Sequence, residues 1–355
     1  MKKYLELNLQ LFADVVNTTA SAADGNNLTA EMKTYYANYL LKLMQANLVH
    51  TQFGKKDSIP KNGGKTIEYR MFSAFPKVTE ALTEGVTPEG APLNVTTYTK
   101  TLEEFGAYST HTDTLVLTAI DNIISEATEK HAENAVLTLD TITRNELNAG
   151  TNVVFAAKSG TRATSRSQLT ADHKLTYADV AYMATMLKRN NAPKIDGSYI
   201  AIIHPDVAQD IMLDERWIDV QKYKNPENVY NGEIGKLHNV RFIESTEALC
   251  TKGGVDLGNG KGKAGVYSTL FLGKDAYHVI DVAGAGVEII VKPAGSAGTS
   301  DPLNQRSTVG WKVPMFGAKR TTEQYIWRFE SGSSLSEVAI PNANDFPVVN
   351  NAEDE

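Results

Sequence analysis

The chain has 355 residues, of which 42% are hydrophobic and 22% charged, and its formal net charge at pH 7 is −7. This length suggests about two domains, or one elaborated domain, and the composition is that of a globular protein with enough apolar residues for a sizeable core. The acidic balance argues against a dedicated nucleic-acid-binding protein, which usually has a basic excess, but is compatible with a protein that merely encloses nucleic acid.

The first 27 residues predict an arm that orders only on contact with another surface. Beyond Phe12 this segment is polar and rich in Ala, Thr and Asn. Before Phe12, leucines alternate with polar residues as in a strand, with a frayed tail as the alternative. These leucines are Leu5, Leu7, Leu9 and Leu11. Residues 28–49 then have helical character.

The N-terminus and the cysteine content both argue against an exported protein. The Lys2-Lys3 start superficially resembles a secretory signal, but Glu6, Asn8 and Gln10 interrupt the apolar run that a signal requires. No segment approaches the roughly 18 apolar residues that would cross a membrane. Cys250 is the only cysteine, which excludes an intrachain disulfide and a cysteine-cluster metal site and fits a reducing compartment.

The pattern of residues 54–108 predicts a long extended segment rather than part of a packed domain. A strand-like stretch, 65–72, leads out and a Thr-rich stretch, 95–108, leads back. The segment between them contains three prolines and two glycines, a density that disfavours a helix or a central strand. Such long loops are usually functional or linkers, and each limb could reach roughly 60–70 Å at most. This segment has too few large apolar residues for a core of its own. We therefore expect it to serve in assembly by lying on another subunit.

The next segment predicts one continuous helix of unusual length. Thr112-Asp113 are good N-cap types, and the stretch ends at Asn148-Ala149-Gly150. No Pro or Gly lies between Gly106 and Gly150, so the expected helix is about 55 Å long. We expect it to serve as a backbone element on which other layers rest.

From Thr176 onward the pattern predicts a compact α/β subdomain over residues 195–295. Thr176 begins a helix with Asp179 in the capping-box position, and Tyr199–Ile203 is an apolar run typical of a buried strand. His204-Pro205-Asp206 opens another helix. Further strands are expected at 240–244, 268–272, 277–281 and 287–292, and later ones at 307–313 and 318–329.

Tests for catalytic motifs are negative. The stretch Gly258–Lys263 has the composition of a phosphate-binding loop but the wrong spacing, and a surface loop is expected instead. His204 is expected to cap a helix or to lie in the core, and Glu103-Glu104 point to opposite faces of a strand. No nucleophile–base–oxyanion constellation is found. The sequence therefore predicts no enzyme, no cofactor and no metal.

Several strings then occur in a characteristic order. They are Gly64-Lys65-Thr66-Ile67, Leu82 to Pro88, Tyr108 with Thr112-Asp113, Ile203 to Asp206, Gly232 to Lys236, Val240 to Ser245 and Asp301 to Lys312, and the opening Leu9 to Ala13 adds to them. Together, over roughly residues 30 to 330, they resemble the major capsid proteins of tailed bacteriophages, specifically the phage N4-type coat protein family.

The resemblance implies an α+β chain with the Hong Kong 97-type phage capsid fold. That fold has an N-terminal arm, an extended E-loop hairpin, a peripheral P-domain with a long spine helix, and an α/β axial A-domain. The implied bounds are 1–53 for the N-terminal arm and helix, 54–111 for the E-loop, 112–194 for the P-domain with its spine helix, 195–299 for the A-domain, 300–332 for the P-domain return strands and 333–355 for the tail.

The implied function is that of a structural coat protein. It would self-assemble into pentamers and hexamers that form the icosahedral head around double-stranded DNA, in the virion and without a membrane. The implied partners are a portal and non-specifically contacted DNA, with a decoration protein as an optional addition. Only about 25 residues precede the first helix, too few for a fused scaffolding domain, so a separate scaffolding protein, or none, is expected. Candidate inter-subunit contacts are Arg70, Lys77, Glu84, Asp301, Arg306 and Trp311, for which solvated or fold-internal roles are the alternatives.

Three other functions stay open at the level of sequence. An encapsulin-like nanocompartment shell would share the fold. A secreted surface or adhesin protein is suggested by the Thr-rich strands and the Lys-Lys start. An α/β enzyme built on residues 195–295 would need a catalytic role for His204.

Overall fold

The computed structural model describes residues 16–17, 49–82, 84–85, 87–214, 233–256, 263–282 and 286–336. Four predicted segments lie outside these residues: the strand of residues 5–11, the helix of residues 28–49 apart from its last residue, residues 257–262 of the predicted surface loop, and the tail beyond 336. The chain divides into two compact units. The first contains residues 16–17, Phe105–Val136 and Val287–Val313. The second contains the remaining described residues.

The helices and strands follow one another along the chain in a mixed order. They are β1 Val16–Asn17, β2 Lys55–Ile59, β3 Thr66–Phe72, β4 Val95–Thr101, β5 Glu103–Thr112, α1 Asp113–Thr118, α2 Ile123–Asn148, β6 Val153–Phe155, β7 Ala157–Lys158, β8 Thr161–Arg162, α3 Tyr177–Arg189, β9 Tyr199–Ile203, α4 Pro205–Met212, β10 Glu233–Leu237, β11 Val240–Glu244, β12 Cys250–Thr251, β13 Val266–Leu272, β14 Tyr277–Val282, β15 Glu288–Lys292, β16 Arg306–Arg320 and β17 Ile326–Ser331.

The strands of the first unit belong to a six-stranded sheet of order β1-β5-β16-β14-β2, with β15 added to β16. Strand β5 pairs with β1, in parallel, and with β16, and β15 pairs antiparallel with β16 through Ile290↔Gly310. Helix α1 follows β5 directly, because Thr112 accepts a hydrogen bond from Leu115 N–H at 3.3 Å as its N-cap. The predicted N-cap at Thr112 is confirmed.

The second unit is built on a seven-stranded mixed sheet of order β10-β11-β9-β13-β17-β6, with β12 added to β13. Strand β9 is buried along its whole length because both of its faces are covered. Ala201 and Ile203 pack with α3 and α4, whereas Ile200 and Ile202 pack with Leu147 of α2. A central strand covered on both faces has a continuous apolar run, so the prediction at 199–203 is confirmed.

The N-terminal caps of two helices in this unit were predicted correctly from the sequence. Helix α3 begins with a full capping box, in which Thr176 and Asp179 each accept a backbone N–H of the other. Helix α4 has Pro205 in its first turn and His204 as its N-cap, since the imidazole accepts from Asp206 N–H at 3.2 Å. The predicted capping role of His204 is confirmed.

The prediction of one continuous helix from 112 to 148 is wrong. Ala119 is extended, with ψ of 140°, and α2 starts again only at Ile123. Asn122 caps the new start, because its side chain accepts from Ser125 N–H at 3.3 Å. Asp and Asn compete with helical hydrogen bonding and favour caps, so the pair Asp121-Asn122 interrupts the helix without Pro or Gly. Helix α2, with 26 residues, is about 39 Å long.

The sheet membership of residues 195–295 also differs from expectation. The seven-stranded sheet takes β6 and β17 from outside this range. It excludes β14 and β15, which pair with β16. The two late strands expected at 307–313 and 318–329 are instead the single strand β16 and the separate strand β17. Pro314 is tolerated within β16 because it lies between Lys312, the last residue paired with β15, and Phe316, the first paired with β14.

Candidate assembly surfaces

The hairpin of β3 and β4, together with the residues between its strands, forms an arm (residues 66–101). Its strands pair antiparallel from Thr66↔Thr101 to Phe72↔Val95, and Ser73 N–H donates to the Asn94 carbonyl at 2.9 Å. Among the described strands, neither β3 nor β4 has another partner. A lone two-stranded hairpin is only marginally stable in water, so the arm needs support from its base or from another molecule.

The base of the arm packs on a small apolar cluster. Ile59, Leu102 and Ile280 are its buried members, and Ile67 and Tyr69 of β3 pack against it. Along β3 the half-buried residues alternate with exposed ones, as expected for a strand with one face on the protein. The cluster therefore fixes which face of β3 packs against the rest of the second unit.

A polar group adjoins this cluster. The Asp57 carboxylate accepts hydrogen bonds from the Tyr69 hydroxyl at 2.9 Å and from Nδ1 of His278, and the rings of Tyr69 and His278 lie 4.3 Å apart. Burial raises the pKa of Asp57, but the hydrogen bonds from His278 and Tyr69 outweigh it and hold the pKa below its ordinary value. Burial and the Asp57 carboxylate raise the pKa of Tyr69. Three elements, β2, β3 and β14, are thus joined at the root of the arm.

The outer part of the arm exposes a row of large apolar side chains. Every described residue from 73 to 94 is exposed. The large apolar residues of this part and of its two flanking strand ends are 47% to 86% exposed: Phe72, Phe75, Val78, Leu82, Leu93 and Val95. Several large apolar side chains exposed on one extension are typical of an interaction site.

The structure places the three contact residues that the sequence predicted on the arm. Arg70 Nε donates to Glu68 Oε1 at 2.7 Å, with both side chains in solvent. Lys77 and Glu84 are exposed in the outer part. The pairing of these three residues with another subunit stays a prediction.

The three predicted contact residues of the first unit have partners inside the chain. The Asp301 carboxylate accepts from Arg306 N–H at 2.8 Å and is buried. Trp311, also buried, donates from Nε1 to Asn134 Oδ1 at 3.0 Å. These contacts anchor β16 within its unit, and an additional role in subunit contacts stays a prediction.

A histidine pair in the first unit was missed by the sequence interpretation. Ser109 Oγ lies 2.8 Å from Nε2 of His111 and 2.9 Å from Nε2 of His131. Burial lowers the pKa of both imidazoles, and the proximity of His131 lowers the pKa of His111 further. Ser109 and His111 share a strand face by their spacing of two, but nothing in the sequence brings His131 to them.

Strand β15 is a second exposed surface. All of its residues are exposed, among them Ile289, Ile290 and Val291, and Val287 precedes them. Among the described strands, β15 pairs only with β16. An edge strand that exposes apolar side chains is a template on which another strand can add.

The described residues contain no cluster of three or more metal-ligating side chains. No helix among them has the length and apolarity to cross a membrane. The features that stand out in this part of the chain are an apolar arm, the polar group at the base of the arm and the exposed edge strand β15.

A family model described as phage capsid protein matches residues 96–328, which is well over half of the chain. The chain belongs to the phage capsid protein family. The match begins within β4 and ends within β17, so it includes both units. No curated protein sequence matches the chain.

Solved capsid structures have the same fold as this phage capsid protein. The capsid of cyanophage P-SCSP1u matches with a TM-score of 0.63 and 13% identity over 87% of this chain and 97% of that one. The cyanophage Pam1 capsid matches with a TM-score of 0.60 and 14% identity over 88% and 100%. The capsid of Ralstonia phage GP4 matches with a TM-score of 0.58 and 12% identity over 97% and 100%.

The expectation of a Hong Kong 97-type α+β fold is confirmed. The protein is a coat protein of the phage head and is located in the virion. Family membership points to a structural role and to association with further copies of itself.

Proposed function

We propose that this capsid protein assembles into pentamers and hexamers through its arm, and that these close into an icosahedral head around double-stranded DNA. In this assembly residues 54–111 act as the E-loop on a neighbouring subunit. Residues 195–299 surround the capsomer axis, and residues 112–194 and 300–332 make the peripheral contacts. One observation carries the proposal: the arm exposes large apolar side chains that nothing in its own described chain covers.

Typical free energies of burial and of ion pairing indicate that the apolar side chains of the arm supply most of its binding energy. Burying an exposed Phe, Leu or Val contributes roughly 1.5–3 kcal/mol each. An exposed ion pair such as Arg70–Glu68 contributes at most about 1 kcal/mol. We therefore expect Phe75, Val78 and Leu82 to supply binding energy, while Arg70, Lys77 and Glu84 select partner and orientation.

Further details follow from the resemblance carried by the ordered strings of the sequence. We place the protein in the phage N4-type coat protein family, with a separate scaffolding protein and a portal as assembly partners and a decoration protein as an addition to the shell. With a net charge of −7, contacts to packaged DNA are expected to be sparse and non-specific.

The test compares assembly of the wild-type chain with that of the double variant Phe75→Ser, Leu82→Ser. The wild-type protein, alone or with its scaffolding protein, is expected to form shells, tubes or rings visible by electron microscopy and sedimentation. The double variant is expected to stay as folded, unassembled subunits, because its arm loses two apolar contacts.

The double variant Phe75→Leu, Leu82→Met is the matched control. It keeps large apolar side chains at both exposed positions of the arm. Its assembly should equal that of the wild type. Normal shells from the serine double variant, or equal loss of assembly in both variants, would refute an arm-driven mechanism.

A further inference from the structure

Strand β15 has one edge that no described strand covers. Among the described strands it pairs only with β16, and this pairing runs without a bulge. Its apolar middle, Ile289-Ile290-Val291, is 39% to 44% exposed. Natural edge strands are generally protected by a bulge, a proline or an inward charge unless another strand covers them. The middle of β15 has none of these, so we expect the edge to be covered in the assembled protein.

Both faces of β15 are exposed, and this restricts what can cover it. Ile289 and Val291 lie on one face of the strand, because neighbouring side chains alternate. Ile290 lies on the other face, between Glu288 at one end and Lys292 at the other. A matching strand therefore needs apolar residues on both of its faces and a charge at each end, arranged opposite to those of β15.

The sequence of β15 itself meets this requirement. It reads Glu-Ile-Ile-Val-Lys, with opposite charges at its two ends. When two copies run antiparallel with Ile290 opposite Ile290, Glu288 of each copy faces Lys292 of the other. In the same register Ile289 faces Val291, so apolar pairs form on both faces of the sheet.

Other registers lose the charge pairs. A parallel, in-register arrangement sets Glu288 opposite Glu288 and Lys292 opposite Lys292. An antiparallel shift of two residues in either direction sets one of these charges opposite Ile290. Opposite charges that face each other stabilise a sheet and like charges destabilise it, so the centred antiparallel register is favoured. Pro293 has no N–H to donate, which ends the pairing after Lys292.

The centred register has a two-fold axis at Ile290, so both copies contribute the same residues. A closed icosahedral shell contains two-fold axes between its subunits. Each copy contributes only the five residues of β15, whereas specific stable interfaces have about 20–30 residues a side. We therefore expect the contact to form in particles, where other contacts hold the copies in place, and not between free subunits.

We propose that β15 pairs antiparallel with β15 of a second copy, with Ile290 opposite Ile290 at a two-fold axis. The two β15 strands and the two β16 strands then form one continuous sheet across the pair of subunits. The proposal rests on the self-assembly proposed above and adds a connection between subunits that does not involve the arm.

Disulfide trapping with a single introduced cysteine tests the register. Cys250, the only native cysteine, is buried, so an exposed cysteine reports without background. Directly opposed residues in a sheet have the separation that a disulfide requires. Particles of the Ile290→Cys variant are expected to give covalent dimers on non-reducing gels after mild oxidation, and free subunits are expected to give several-fold fewer.

Ile289→Cys is the matched control, because Ile289 has a similar exposure, 41% against 39% for Ile290. In the proposed register the two copies of residue 289 are offset by two positions, about 8 Å apart, which exceeds the span of a disulfide. The control should crosslink at least several-fold less. Particles assembled from a mixture of Ile289→Cys and Val291→Cys subunits should regain the crosslink, because these two positions face each other.

Charge reversal provides a second measurement in the Ile290→Cys protein. Lys292 lies opposite Thr308 within its own sheet, so Lys292→Glu changes no directly opposed charge pair inside the subunit. The substitution should lower the crosslinking yield at least about two-fold, because acidic side chains then face each other at both ends. Adding Glu288→Lys should raise the yield again.

The outcomes separate this proposal from the proposed function. Particles that look normal by electron microscopy but give no dimers, or equal yields from Ile290→Cys and Ile289→Cys, would overturn the strand pairing and leave the proposed function standing. A crosslinked product of any mass other than that of two chains would overturn a second copy as the occupant. Absence of particles in the wild type would instead count against the proposed function.

Discussion

At the scale of single residues, the histidine pair of the first unit makes stability depend on pH. A serine hydroxyl has one proton, so Ser109 can donate to only one of the two Nε2 atoms and must accept from the other. The pKa values of His111 and His131 are lowered by burial, and that of His111 also by His131. The folded state therefore binds fewer protons than the unfolded chain.

We expect the stabilisation by this pair to be complete above about pH 6.5 and to be lost as the pH falls below that value. The variant His131→Gln keeps an amide that can hydrogen-bond to Ser109 but does not titrate. Urea unfolding between about pH 7.5 and pH 5, followed by circular dichroism, should show a weaker pH dependence for the variant than for the wild type. Identical pH dependence in both proteins would contradict this role.

Asp57 is the residue on which the root of the arm depends. Asp57→Asn weakens the bonds from Tyr69 and His278, and bonds to a charged group are worth more than neutral ones. We expect a loss of about 1–3 kcal/mol in the free energy of unfolding, measured in denaturant. Because the pKa of Asp57 is lowered, this stabilisation is present above about pH 3.8 and is lost as the pH falls below it.

Asp172→Asn is the control for Asp57. Asp172 also forms a close ion pair, with Lys158 at 2.6 Å, but its side chain is 67% exposed. Solvent screens such a pair, so its removal should leave stability unchanged. Equal effects of the two substitutions would show that the root of the arm has no special role.

At the scale of elements, the break between α1 and α2 is encoded by a cap. Asn122→Ala removes the acceptor for Ser125 N–H, and we expect a loss of about 1 kcal/mol in the free energy of unfolding. Asn122→Asp keeps the cap and should have a much smaller effect. If both variants are as stable as the wild type, the start of α2 is held by tertiary packing instead.

The outer arm is separable from the fold of the second unit. Its described residues between Ser73 and Asn94 are all exposed. Replacing residues 74–93 by Asn-Gly would close the hairpin with a two-residue turn of the preferred type. We expect the shortened protein to keep its secondary structure and thermal stability but to lose assembly, as judged by circular dichroism and sedimentation. A large fall in stability would mean that the outer arm supports its own subunit.

At the scale of the whole molecule, net charge opposes assembly. Subunits with a charge of −7 repel each other, and salt screens this repulsion over a distance of about 10 Å at 0.1 M. We expect the protein concentration needed for assembly, measured by light scattering, to fall as NaCl is raised from about 10 mM to about 200 mM. A rise would show that attractive ion pairs between subunits outweigh the net charge.

Features with local causes could be predicted from the sequence. The caps at Thr112, Thr176 and His204 depend on hydrogen bonds to residues two or three positions away. Such caps can be predicted from the residue types at neighbouring positions. The apolar run of β9 and the Pro- and Gly-rich arm were likewise predicted, and the ordered strings pointed to the capsid family. The prediction of one continuous helix was the local error. The capping tendency of Asp121-Asn122 outweighs the helical pattern on either side of them.

Partnerships between distant residues depended on the three-dimensional fold. Asp57 and His278 are 221 residues apart in the chain, and the residues around one of them do not indicate that it contacts the other. The same is true of the strand pairs that place β14 and β15 against β16 rather than in the larger sheet. Strands with similar apolar patterns can pair in many ways. Long-range packing of side chains selects among them, so the root of the arm, the shared serine and the open edge of β15 emerge only once the chain has folded.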